Sequence, residues 1–149
     1  LSQLVNTLGG IEVDVAQTMT VSGVEIKAGK QTMDGKTAEL YARYFGKGES
    51  EDARFDRQNR VMNGLLAKLA DPAVFAKVPD LYTQFKDLLI TDLSPEQITA
   101  LTCLTREVGM GNIQLGSIPA DQLSSGADGA VQLKDLAVTK KSVLEFLGK

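Results

Sequence analysis

Between Ala53 and Leu69 the chain runs without a proline, and Phe55, Met62, Leu65, Leu66 and Leu69 recur at the spacing of a helical face. This is the strongest helix signal in the sequence. A long helix with one apolar stripe has to lay that stripe on a second layer of structure. Ser50 or Asp52 stands where its N-cap belongs. The rest of the fold has to supply the layer it packs on.

The segments before it supply strands. Ile11, Val13 and Val15 alternate with Glu12 and Asp14, which predicts a half-buried strand. "MTVSGVEIKAG" alternates again about Ser22-Gly23 and reads as a short twisted hairpin. Asp34-Gly35 marks a turn, and Lys36 to Arg43 reads as a short helix because Ala38, Glu39 and Leu40 are good helix formers. A strand from Leu40 to Phe45 is the alternative, and Tyr41 and Phe45 are read as core. "FGKGESED" follows as an exposed loop.

Beyond the long helix, Pro72 and Pro79 break "DPAVFAKVPDLYTQFKDLL" into two shorter helical pieces. Ser94, Pro95, Gln97 and Gly109 bracket a further helix with a capping box and a glycine stop. "NIQLGSIPA" reads as a strand, then a loop to about Gly129, a short strand in "AVQLKDL" and a closing helix in "VTKKSVLEFLG". Strands and helices mix along the chain, so the class is α/β or α+β. The opening "LSQLVNTLGG" reads as the tail of a helix from a longer protein. The strands are few for a complete sandwich, so a partner half is expected outside these 149 residues.

Composition removes several functions. There is no histidine, which excludes a histidine-based triad or metal site within the chain. The single Cys103 excludes an internal disulfide and is read as a small buried hydrophobe. The net charge of −3 argues against nucleic acid as a partner. No apolar run reaches membrane-spanning length.

The positive charge is unevenly placed. Of five arginines, Arg43, Arg54, Arg57 and Arg60 fall within eighteen positions, and three open the long helix. Cations at a helix N-terminus oppose its dipole. Helical spacing turns Arg54, Arg57 and Gln58 one way, roughly opposite the Phe55–Met62 stripe, with Arg43 able to fold back from across the loop. Two readings of this cluster stay open. Glu49, Glu51, Asp52 and Asp56 neutralise a solvated face, or the arginines and the free N–H groups of the first turn form an anion site.

Taken in order, these pieces resemble the LytR–CpsA–Psr family of bacterial cell-envelope proteins. The matching residues are Val5, Leu8, Gly9, Gly10 and Ile11; Gly29 and Met33-Asp34-Gly35; Ala38, Tyr41 and Arg43; and Arg54, Arg57 and Gln58. The match is strongest over residues 1–70, within a chain read as one unit over 1–149. The resemblance implies part of an α-β-α sandwich with a mixed central sheet and a hydrophobic tunnel for a polyprenyl chain, the N-terminal half lying outside the chain. It implies a membrane-anchored phosphotransferase on the extracytoplasmic face, moving a teichoic acid or capsule polymer from undecaprenyl diphosphate to peptidoglycan. Arg43, Arg54, Arg57 and Gln58 take the diphosphate-binding role. Magnesium is the implied cofactor, its ligands expected in the absent half and none in this chain. Such a fragment is expected to be inactive alone, and a sheet edge left bare is expected to favour association with another chain. Phe45 stands where many members carry a second arginine, and Asp52 matches only loosely the acid that precedes the first helix arginine. A non-catalytic module for polyprenyl phosphates or anionic glycans is the alternative function, with a transcriptional role as a further one.

Overall fold

A computed structural model describes residues 1–88, 91–109, 112–126 and 130–148. Helix α1 (Ser2–Thr7) ends at Gly9 and Gly10, both at positive φ, and turns into strand β1 (Ile11–Val15). The hairpin of β2 (Met19–Val21) and β3 (Val24–Ile26) turns at Ser22 and Gly23, both at positive φ, as a tight two-residue hairpin requires. Strand β4 (Gly29–Met33) then pairs antiparallel with β1, Ile11 opposite Met33 and Val15 opposite Gly29. The periodicity does not announce β4, because Lys30, Gln31 and Thr32 are polar; pairing with β1 makes it a strand.

Asp34 caps α2 (Gly35–Arg43), its carboxylate accepting from the Thr37 N–H at 2.7 Å. The helical reading therefore holds and the alternative strand does not form. Tyr41 is buried in the core, but Phe45 is 51% exposed, contrary to expectation. Helix α2 stops at Arg43, and Tyr44 is extended, so Phe45 leaves the packed face and lies in the loop.

Helix α3 (Glu51–Ala70) starts two residues before Ala53, with Ser50 as its cap; Asp52 accepts instead from the Ala120 N–H at 3.2 Å. Its buried face also differs from the expected stripe. Arg57, Val61, Gly64 and Leu65 are buried, while Met62 is exposed. The reason lies in the contact with β1. Gly64 sits so close that an ideal Cβ there would lie 2.3 Å from the Glu12 carbonyl oxygen. Only that rotation of α3 lets it pass, and it carries Arg57 inward by the i, i+4 spacing to Val61. Arg60 Nη1 donates to the Asp14 carbonyl at 2.9 Å, so α3 also covers the Glu12 and Asp14 carbonyls of β1. That edge is thus not the bare one expected to seek another chain.

Both prolines begin helices. Pro72 opens α4 (Pro72–Phe75) behind the Asp71 cap, and Pro79 sits in the first turn of α5 (Val78–Phe85). A 3-10 turn follows at Lys86–Leu88; Leu89, the end of the expected second piece, lies outside the described residues. Helix α6 (Pro95–Val108) shows the full capping box at Ser94 and Gln97 and ends at Gly109. Cys103 is half-buried rather than buried, because α6 is peripheral and has no fully buried residue.

No strand forms over residues 112–119, against expectation. Among the described residues nothing pairs with that segment. It lies instead on α7 (Leu136–Phe146), where Gly116, Ile118, Val143 and Phe146 line one apolar cavity. The expected loop contains β5 (Leu123–Ser125), paired antiparallel with β6 (Val131–Leu133). The end of that loop, residues 127–129, lies outside the described residues. The α/β class holds, and the strands described form three separate antiparallel pairs.

Candidate anion-binding site

The N-terminal turns of α3 and the loop from Tyr44 to Ser50 form one structure, held by Arg57. Its guanidinium is only 5% exposed. Nη1 and Nη2 donate to the two Glu49 carboxylate oxygens at 2.5 and 2.8 Å, and Nη2 also donates to the Tyr44 carbonyl at 2.6 Å. The Tyr44 ring stacks against the same guanidinium, 5.3 Å to its centroid. Glu49 in turn accepts from the Gly46 N–H at 2.9 Å, which closes the loop on itself. This fork-to-carboxylate geometry is the strong form of an ion pair.

The same contacts hold the Glu49 carboxyl below the usual carboxylate range, first through the Arg57 hydrogen bond and then through Gly46. A lowered folded value means that the pair stabilises the protein fully above the ordinary glutamate pKa and loses this as pH falls through the lowered value. The difference in Tm between wild type and Glu49→Gln is expected to stay constant at neutral pH and to shrink below about pH 4. A difference that is flat through the acid range would show that folding does not lower the Glu49 pKa.

Arg54 lies one turn earlier. It pairs with Glu51 at 2.5 Å, sits 5.7 Å from the Phe45 ring and 5.8 Å from the Phe55 ring, and keeps 35% of its side chain exposed. Gln58 donates to the Ala42 carbonyl at 3.4 Å, a long bond that ties α3 to α2. Arg60 pairs with Asp56. Arg43 is 79% exposed and pairs with Glu39 on its own helix. It lines a polar cavity of about 370 Å³ together with Ser22, Lys36, Glu39 and Tyr44. Arg54 and Arg57 are thus gathered around the 44–50 loop, while Gln58 bonds to α2 at Ala42 and Arg43 lines the cavity with Tyr44. Each of the four arginines has an acidic partner, as a neutralised charged face demands; Asp52 alone of the acids expected there pairs with no arginine.

The expected direction of the cluster needs correction. Arg57 shares a face with Val61 and Leu65 rather than opposing the apolar stripe. Glu49 was legible only as a nearby acid, since a separation of eight residues across a loop has no helical or strand period. Tyr44, which gives both a ring and a carbonyl, carried no signal at all.

Glu39 also lines an apolar cavity of about 400 Å³ between α1, α5 and α6, walled by Leu4, Leu69, Leu81, Phe85 and Ile98. The two cavities share Glu39 as a lining residue, and Glu39 pairs with Arg43 of the second cavity. Among the described residues no cluster of three or more carboxylate or thiol side chains forms. Glu39, Glu49, Glu51 and Asp56 are each bonded to an arginine. The residues present do not by themselves fit a magnesium site. Arg106, the one arginine of α6, stacks on Phe75 at 5.5 Å.

Fold and site together define an α/β domain with an arginine-rich helix start and, near the other end of that helix at Leu69, an apolar cavity. The sequence model of the LytR_cpsA_psr family matches residues 1–144, well past the stretch where the motifs are densest. The chain belongs to the LytR_cpsA_psr family. It is 29% identical over 124 residues to the polyisoprenyl-teichoic acid–peptidoglycan teichoic acid transferase TagU of Enterococcus faecalis, covering 83% of this chain and 39% of that protein. It is 30% identical over 92 residues to the protein of the same name in Bacillus subtilis, covering 61% of this chain and 30% of that one. The crystal structure of B. subtilis TagV matches with a TM-score of 0.74 at 23% identity, over 98% of this chain and 58% of that chain, which shows a shared fold. The chain spans well under half the length of the curated relatives it matches.

Proposed function

We propose that this chain is part of a phosphotransferase that attaches an anionic cell-wall glycopolymer, of teichoic acid or capsule type, from an undecaprenyl-diphosphate carrier to peptidoglycan. Its work is done on the extracytoplasmic face of the bacterial membrane. The membrane anchor of this reading is a segment of the full-length protein; no helix among the described residues is long and apolar enough to cross a membrane. The observation that carries the reading is an apolar cavity and an arginine-lined cavity that share Glu39, the partner of Arg43. A ligand with a hydrocarbon tail and an anionic head matches an apolar cavity with an arginine-lined one next to it. The two relatives whose printed name is a polyisoprenyl-linked teichoic acid transferase support the same ligand class.

Arg43, Arg54, Arg57 and Gln58 form the diphosphate-binding wall. In the transfer, an acceptor hydroxyl oxygen bonds to the glycopolymer-bearing phosphorus, the bond to the bridging oxygen breaks, and the polyprenyl phosphate departs. Guanidinium groups serve here as electrostatic clamps, since they do not lose a proton at working pH. The general base that takes the hydroxyl proton, and the ligands of a magnesium ion, come from outside this chain.

Arg54→Ala in the full-length protein is expected to lower transfer by about 10²-fold, the scale of losing one preorganised donor. Its thermal stability should change little, because an ion pair this exposed contributes about 1 kcal/mol or less. Transfer at the wild-type rate would sink the reading. The exposed Phe45, standing where family members often carry arginine, favours a second reading as a non-catalytic binding module. That version binds the polyprenyl diphosphate and releases no polyprenyl phosphate when acceptor and magnesium are supplied.

A further inference from the structure

Arg57 is the most buried of the arginines, and three of its five N–H donors are taken. Nη1 bonds to Glu49 and Nη2 to Glu49 and Tyr44, while Nε is buried with no partner among the described residues. A diphosphate would have to expel Glu49 to take the paired Nη edge. The expelled carboxylate would then stand beside the incoming anion, a like-charge contact in a partly desolvated place. Arg54, one turn away, keeps 35% of its side chain exposed and stacks on Phe45, a residue of the same loop that Glu49 closes.

We propose that Glu49 is a positioning residue of the diphosphate site. By holding both Nη groups of Arg57 it pins the 44–50 loop onto the first turns of α3 and fixes where Arg54 presents its guanidinium. Arg57 then serves the site through the loop and does not touch the ligand. This rests on the diphosphate reading above and refines it, giving the wall an outer layer at Arg54 and an inner one at Arg57 and Glu49.

The physical logic is that of a supported ligand group. Arg54 has a long side chain with several rotatable bonds, and Phe45 gives its guanidinium a flat surface to rest on. Phe45 can do this only while its loop is fixed. The loop makes two internal backbone contacts to hold its shape, Glu49 N–H to the Gly46 carbonyl at 3.1 Å and Gly46 N–H to the Glu49 carboxylate at 2.9 Å. At its end the loop is fixed by the Ser50 cap, and its middle is tied to α3 by the Glu49–Arg57 contact. Without the Glu49 carboxylate, the buried guanidinium keeps only the Tyr44 carbonyl and ring.

The test measures binding of inorganic pyrophosphate to the full-length protein by calorimetry, at a temperature where every variant is folded. Glu49→Gln is expected to weaken binding about tenfold, the order of effect seen when a supporting residue is lost, while Glu49→Asp keeps most of the affinity. In wild type, the Arg57 Nη signals in nitrogen-15 NMR should stay in place when pyrophosphate is added, and the Arg54 signals should move. Unchanged or tighter binding by Glu49→Gln, or Arg57 Nη signals that shift to a pyrophosphate-bonded position, would overturn the proposal. The NMR arm needs no variant, so a Glu49→Gln protein that fails to fold leaves it decisive. If Arg54→Ala does not weaken pyrophosphate binding, the diphosphate reading itself fails. If Arg54→Ala weakens it and Glu49→Gln does not, only the positioning role fails.

Discussion

Gly35→Ala is expected to destabilise the protein by about 3 kcal/mol, the upper end of the overpacking range, although alanine is the better helix former. Gly35 opens α2 at the point where α1 crosses it. An ideal Cβ there would lie 2.0 Å from the Ser2 carbonyl oxygen, 2.6 Å from its carbon and 2.8 Å from its Cα. The clash involves the first side-chain atom and a backbone group, so no rotamer relieves it. Moving α1 away strains the 2.7 Å bond that the Gly35 N–H donates to Asn6 Oδ1. It also shifts Leu1 and Leu4, which line the apolar cavity. Urea denaturation of wild type and variant would show the loss as a lower midpoint at unchanged slope. An equal or higher midpoint would mean that the helices are not this close. Gly64 against the Glu12 carbonyl poses the same demand inside α3.

The second large effect concerns the buried pair. Arg57→Leu is expected to cost about 3–5 kcal/mol, because it leaves the Glu49 carboxylate, 14% exposed, with the Gly46 N–H as its one remaining bond. Glu49→Leu is expected to cost a similar amount for the converse reason. The double variant should recover most of the loss, since no uncompensated charge then remains in the interior. The coupling energy from the four proteins is expected to be about 2 kcal/mol or more. Additive losses would mean that the two groups act independently. A large coupling places the Arg57–Glu49 contact inside the fold's energetics and leaves Arg54, paired with Glu51 but less buried than Arg57, as the cation that meets a ligand on the proposed reading.

These two tests also separate stability from chemistry. Gly35 and the Arg57–Glu49 pair stabilise the scaffold, while Arg54 contributes little to stability and, on the proposed function, much to transfer. The interior pair rather than the motif as a whole makes the helix start tolerate three arginines. Cations at an N-terminus are disfavoured by the dipole. Here Glu51 and Asp52 occupy the first turn, and Glu49 and Glu51 neutralise Arg57 and Arg54.

Much of this was legible in residue order. The motif positions Arg43, Arg54, Arg57 and Gln58 came from the family resemblance. The caps at Ser50 and Ser94, the turn at Asp34-Gly35, the glycine stop after α1 and the Ser22-Gly23 hairpin follow from local rules. Each depends on neighbours within a few residues, where chain geometry alone decides what can bond. Tertiary structure decided the rest. The polar strand β4 exists because β1 lies beside it. The segment at 112–119 is no strand because nothing described pairs with it. Phe45 is exposed because α2 ends two residues before it. Arg57 is interior because Gly64 lets α3 approach β1 at one rotation only, and that rotation buries the face bearing Arg57. Periodicity could show that α3 has faces, but the choice between them belongs to whichever neighbour comes within van der Waals distance, and that neighbour is β1, more than forty residues away along the chain.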